Sequence, residues 1–175
     1  ISLNLRSAFL FTKHLVSCLK NASLSPCKYD GNVYDGNIIN ISSVLATDST
    51  ASSWGVAYCV AKAGINQLTR LSAWELSGDK VRVNALALAV IRTDAFRKMG
   101  YNEQETDVLM KDTVKYHPIG RIGRKQDVVE MVQFVTCQNR CGWITGAVID
   151  MNGGWCLQTS GSANEAGDNA AKAKL

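Results

Sequence analysis

The run Val81–Leu88 (VRVNALAL) constrains the fold of this chain more than any other feature. It is short, and it is too apolar for a strand with one wet face. A strand of this kind is covered on both faces, the situation found in a parallel sheet sandwiched between helices. Ile38, Ile39 and Ile41 form a second β-branched run that ends in Ser42 and Ser43 and reads the same way. Ala147–Met151, closed by Gly153 and Gly154, is the third strand of the series.

Helical patterns fill the intervals. Residues 2–20 carry Leu3, Leu5, Phe9, Leu10, Val16 and Leu19 among polar positions. From Val56 to about Leu76 a second helix sets Ala57, Ala61, Ile65, Leu68 and Ser72 near one face, and Gly78 and Asp79 end it. Residues 94–118 read as a helical excursion bounded by Pro118. Gln126–Thr136 is a further helix, with Asp127 suited to its positive N-terminus. Residues 21–37 and 44–55 read as loops, and residues 158–175 as a disordered tail. The alternation of strands and helices predicts an α/β domain over residues 1–157, a doubly wound parallel sheet with flanking helices. There is no internal repeat.

The 175 residues suffice for one domain with a real core. Net charge is +4 without a run of Lys and Arg, so a nucleic-acid partner is not expected. The longest apolar run, Ala85–Ile91, is too short to span a bilayer, and no membrane or leader segment is read. Six cysteines follow no Cys-x-x-Cys spacing and only two His accompany them, so no metal site is expected. The cysteines read instead as small buried residues of a reduced, cytoplasmic protein. The chain opens on Ile1 within a helical pattern, so further residues are expected before it.

Tyr58-Cys59-Val60-Ala61-Lys62 carries the chemistry. Positions four apart share a helix face, so the phenol and the ammonium lie side by side. A free phenol is a poor acid or base at neutral pH. A cation about 6 Å away favours the phenolate by roughly 3 kcal/mol at an effective dielectric of about 20, which makes such a group a usable proton donor and acceptor. Taken alone, a Tyr–Lys pair is common. Its context is informative: ligands of open parallel sheets bind beyond the carboxyl ends of strands, where Ser43 lies. A hydroxyl there can donate to a carbonyl oxygen while tyrosine delivers the proton.

The order NLRSAF, IINISS, YCVAK, KVRVNAL, IRTDAF, HPIGRIGRKQDVVEMVQF, WITGAVIDMNGGW resembles the C-terminal half of the short-chain dehydrogenase/reductase family, over residues 1 to about 157. The resemblance implies a partial Rossmann-like fold and an NAD- or NADP-dependent interconversion of an alcohol and a ketone or aldehyde. Tyr58 would be the acid/base. Lys62 would favour its ionised form and hold the nicotinamide ribose. Ser43 would orient the substrate oxygen, with Ser42 as the alternative. Asn4 would support the lysine's proton-relay water, or be a solvated helix residue. Ile91 and Thr93 would contact the nicotinamide carboxamide, although Thr93 is also suited to cap the next helix. Asn84 and Asp150 match family positions with structural roles.

The resemblance further implies a small-molecule substrate closed over by residues 94–117, where Met99, Tyr101, Met110 and Val114 suggest an apolar lid and a lipid-like or acyl substrate. Ordinary helix packing is the equal alternative for these four residues. The resemblance also implies a homo-oligomer paired through helices 2–20 and 56–76, whose Ala57, Ala61, Ala63 and Gly64 would permit close approach. Two departures matter. The family's Gly-rich nucleotide turn is not among these residues, so NAD and NADP cannot be told apart. Leu88-Ala89 stands where the family has Pro-Gly, which favours as a second reading a non-catalytic relative serving as a binding or assembly module. A fragment lacking the neighbour of strand 38–42 is expected to be poorly soluble when made alone.

Overall fold

The computed structural model describes residues 1–20, 28–29, 31, 36–47 and 55–157. The expected tail at 158–175, most of the loop expected at 21–37 and residues 48–54 of the loop expected at 44–55 lie outside the described residues, and residues 36 and 37 belong to the first strand. The described elements are α1 (Ser7–Lys20), β1 (Gly36–Ser43), α2 (Val56–Glu75), β2 (Val81–Leu88), α3 (Ala95–Lys98), α4 (Glu103–Thr113), α5 (Lys125–Thr136), α6 (Gln138–Cys141) and β3 (Val148–Met151). The chain divides into two compact units. Among the described residues, one comprises residues 1–88 with Val129–Asp150, the other Ala89–Val128 with residues 151–157.

The sheet order is β1-β2-β3, and β1 runs parallel to β2 in the register Gly36↔Val81 through Ser43↔Leu88. The α/β class with a parallel sheet and flanking helices is as the sequence indicates. β2 is buried from Val81 to Ala87, including Arg82 and Asn84, which is why its run is so rich in apolar residues. Arg82 is tolerated there because its guanidinium donates to the carbonyls of Thr136, Cys141 and Ile144, each at 3.3 Å. Ala73, Leu76, Val81 and Val83 form the core of this unit, with Val16, Leu19 and Ile38 packed against it. Gly36 lets α1 approach β1: a Cβ at this position would lie 2.7 Å from that of Leu19.

Several expectations need adjustment. The first helix begins with a π turn over Ser2–Arg6, in which Arg6 N donates to Ile1 O at 3.3 Å. Helix α2 stops at Glu75, a short 3-10 turn follows, and Lys80 (φ 57) rather than Gly78 takes the left-handed position before β2. The excursion after residue 94 is two helices, because Gly100 (φ 100) breaks it and Asn102 with Glu105 forms a capping box for α4. Of the cysteines, Cys141 is buried, whereas Cys18 and Cys156 are exposed and so are not the small core residues expected. Among the described residues no helix is long and apolar enough to cross a membrane.

Helix α5 starts on a charged clasp. The Asp127 carboxylate accepts from Arg121 Nη1 at 2.6 Å and Nη2 at 3.0 Å, and from Arg124 N at 2.7 Å. The Arg121 hydrogen bonds, then that of the Arg124 N–H, hold Asp127 down at about 2. A carboxyl group lowered on folding stabilises the protein above its unfolded value of 3.8, and this contribution fades as pH falls through about 2. Asp127→Asn should therefore lower the melting temperature at pH 5 and lose its effect near pH 2. A gap between parent and variant that stayed constant across that range would refute the assignment.

Candidate active site

Consecutive residues at the carboxyl end of β1 meet the first two turns of α2. Gly55 (φ 88) precedes the helix, and its carbonyl accepts from Tyr58 N at 3.1 Å, which sets Tyr58 in the first turn, half-buried. One turn later Lys62 is only 8% exposed. Its ammonium lies 5.6 Å from the centroid of the Tyr58 ring and donates to the Ile41 carbonyl at 2.7 Å. Burial pushes the Lys62 amine below its ordinary value, because the charged form loses hydration. The side-by-side arrangement drawn from the four-residue spacing is thus present, with β1 as a third participant.

The two serines at the end of β1 have different surroundings. Ser43 is buried, and its Oγ accepts from Leu45 N at 3.2 Å, capping the short turn Val44–Ala46 that packs on α2. As an acceptor in that contact it keeps its own hydrogen for donation. Ser42 is also buried, but its hydroxyl donates to Asn66 Oδ1 at 2.5 Å and lies 3.3 Å from the Lys62 carbonyl. Asn66 was not singled out from the sequence. Its position four residues after Lys62, on the same helix face, is the signal that could have found it. Asn4 lies half-buried in the π turn over Ser2–Arg6, whose Leu5 side chain packs on Gly64 of α2.

The second unit holds the other two candidates. Ile91 forms an isolated parallel bridge with Gly123, where its Cδ1 fills the space that a Cβ would need. The Thr93 hydroxyl accepts from Ala95 N at 3.3 Å just before α3, whose N-cap position is Asp94, and retains a hydrogen to donate. Ala89 N donates to Met151 O at 3.3 Å, and neither Leu88 nor Ala89 has a positive φ, so the backbone here does not require glycine. Of the residues expected in an apolar lid, Met110 and Val114 belong instead to a core with Phe96 and Ile122, while Met99 and Tyr101 are exposed.

Comparison with known proteins places this geometry in a lineage. The family model described as enoyl-(acyl carrier protein) reductase matches residues 1–156. A tropinone reductase homolog of Arabidopsis thaliana is 34% identical over 154 residues, 88% of this chain and 51% of that protein. A 3-oxoacyl-[acyl-carrier-protein] reductase of Rickettsia felis is 29% identical over 157 residues, 90% of this chain and 57% of that protein. A short-chain dehydrogenase/reductase of unknown function from Caenorhabditis elegans, solved with cofactor, superposes with a TM-score of 0.79 at 26% identity, covering 92% of this chain and 56% of the other. The chain spans about half the length of the relatives it matches. With the match running through nearly every described element, from the π turn to β3, the chain belongs to the short-chain dehydrogenase/reductase family.

Proposed function

We propose that the protein containing this chain is an NAD(P)-dependent oxidoreductase that interconverts an alcohol and a ketone or aldehyde, with Tyr58 as the acid/base. The observation that carries this reading is the Tyr58–Lys62 pair at the carboxyl end of β1, the Lys62 ammonium 5.6 Å from the Tyr58 ring. Oxidoreductases among the relatives, including a 7alpha-hydroxysteroid dehydrogenase of Paraclostridium sordellii at 31% identity over 71% of this chain, support it.

The residues present fit a nicotinamide nucleotide. An ammonium has three hydrogens, and the Ile41 carbonyl takes one from Lys62, so others are available to ribose hydroxyls. Thr93 has a hydroxyl hydrogen to offer a carboxamide, beside Ile91. When bound, the nicotinamide supplies the hydride chemistry. The chain's own work is positional and protonic. Ser43 donates its hydroxyl hydrogen to the substrate oxygen and Tyr58 gives or takes the proton at that oxygen. Lys62 keeps positive charge beside the phenol, and Asn4 supports the water that returns the proton. NAD and NADP remain equal candidates.

Assembly follows from the same reading. Phe9, Phe11 and Leu15 of α1 and Val56, Val60, Leu71 and Trp74 of α2 are exposed, which supports a homo-oligomer built on these helices. The contact would not use Ala61, which is fully buried within its own chain, or Gly64, which packs on Leu5.

Titration of the complete protein with NADH and with NADPH, followed by nicotinamide fluorescence, tests the proposal. Saturable binding of at least one is expected. Absence of both would leave the non-catalytic reading suggested by Leu88-Ala89.

A further inference from the structure

β1 and α2 are joined by a ladder of buried polar contacts, and its rungs differ in what they touch. Asn40 Nδ2 donates to Thr69 Oγ1 at 2.9 Å, and that hydroxyl donates to Ile65 O at 2.8 Å, a rung that closes on the helix backbone. Two residues further along β1, Ser42 Oγ donates to Asn66 Oδ1 at 2.5 Å and stands 3.3 Å from the Lys62 carbonyl. Ser42 is 3% exposed and Asn66 4%. Because Lys62 and Asn66 are four apart, the lysine's carbonyl and the asparagine's amide share one helix face, and the one hydroxyl hydrogen goes to the nearer acceptor, Asn66 Oδ1. The residue before Ser42 supplies the other contact: the Ile41 carbonyl accepts from Lys62 Nζ at 2.7 Å. Neighbouring residues of one strand thus hold the Lys62 ammonium, through Ile41, and the Asn66 amide beside the Lys62 carbonyl, through Ser42.

We propose that Ser42 and Asn66 are positioning residues for Lys62, a pair that locks β1 against α2 so that the Ile41 carbonyl meets the ammonium beside Tyr58. The hydroxyl of Ser42 is committed to this lock, which divides the labour of the two adjacent serines. The bearing of the lock on turnover rests on the oxidoreductase reading above. The lock itself does not. Replacing either member loosens the carboxyl end of β1 from α2, and a long flexible amine released from its carbonyl moves toward water. Misplacement of a supporting group by about 1 Å can cost about 10²-fold in rate, so a hidden pair two bonds from the chemistry can matter.

The test reads Lys62 directly. The complete protein is labelled with [ε-13C]lysine, and the Lys62 resonance is assigned by its disappearance in Lys62→Arg. Its 13Cε shift is then followed against pH in the parent, Ser42→Ala, Asn66→Ala, Ser42→Thr and Thr69→Val. In the parent Lys62 titrates below an ordinary lysine, since burial opposes its charge. Ser42→Ala and Asn66→Ala should both move its titration up toward the ordinary value of about 10.4. Ser42→Thr, which keeps the hydroxyl, should restore it. Thr69→Val breaks the neighbouring rung without touching Lys62, and should lower stability while leaving the titration in place. If Thr69→Val moves Lys62 as far as the other two, or if none moves it, the pair is only part of the packing and the proposal fails. Should Asn66→Ala not fold, Ser42→Ala against Ser42→Thr gives the same decision. A shifted Lys62 in a protein without nicotinamide-dependent turnover would sink the oxidoreductase reading and leave the lock standing. An unshifted Lys62 in an active enzyme would do the reverse.

Discussion

Tyr58→Phe in the complete protein is expected to lower turnover by about 10²–10⁴-fold, the usual range for a lost general acid/base, while nucleotide binding stays near that of the parent. The substitution removes one oxygen. The ring that Lys62 approaches at 5.6 Å is kept, as is the backbone bond from residue 58 to Gly55. Helix α2 and the grip of Ile41 on Lys62 should therefore survive, so that a loss of rate reports on the proton and not on the fold. The measurement is NAD(P)H oxidation with a panel of ketones, alongside nucleotide titration and thermal melting of the same preparations. Near-parental turnover in Tyr58→Phe would remove Tyr58 from the acid/base role. Loss of rate together with a fall in melting temperature would mean that the hydroxyl also supports the fold, so that the rate no longer reports on the proton alone.

What could be read from the sequence divides along the range of the interactions involved. The strands were legible because burial on both faces leaves a local mark: VRVNALAL is apolar at six of its eight positions, and it is β2 from Val81 to Leu88. The pairing of Tyr58 with Lys62 was legible for the same reason, since four residues on a helix is a local spacing. The polar side chains that fill the core were not. Arg82, Asn40, Ser42 and Asn66 are all buried, and their partners lie more than twenty residues away, on elements whose register no local pattern states. The buried face of α2 shows the consequence. Apolar periodicity put Ala57 and Leu68 on it, yet Ala57 is exposed and the face is completed by Lys62, Asn66 and Thr69, each satisfied by β1 or by the helix itself. A helix that buries polar groups in pairs is invisible to a count of apolar residues. At the candidate site this means that the pairing of Tyr58 with Lys62 could be found from the sequence, and the contacts that hold it could not.

Asn84 is where that hidden support should be most costly to remove. It is fully buried in β2 and bridges to the segment leading into β3, with Nδ2 donating to Ile144 O at 2.9 Å and Oδ1 accepting from Ala147 N at 3.1 Å. The strand neighbour Ala85 N bonds Ala147 O at 2.8 Å, so the asparagine extends the ladder between β2 and β3 by imitating a peptide group. Asn84→Ala would strand the part-buried N–H of Ala147 and C=O of Ile144, each costing up to about 1–3 kcal/mol, against a total stability of about 5–15 kcal/mol for a domain. A loss of about 2–5 kcal/mol corresponds to roughly 10 °C in melting temperature for a protein of this size. Asn84→Asp separates the two bonds. The introduced carboxylate still accepts from Ala147 N, but it faces the Ile144 carbonyl with no hydrogen to give, in a place without water. Burial raises the folded pKa of such a group above its unfolded value, so its favourable contribution is present at low pH and lost as pH rises through the folded value. Asn84→Asp should therefore approach the parent's stability near pH 4 and fall toward that of Asn84→Ala at pH 7, as read by thermal melts across that range. If Asn84→Ala melts within about 2 °C of the parent, or if Asn84→Asp shows no such pH dependence, Asn84 does not carry the join between β2 and β3.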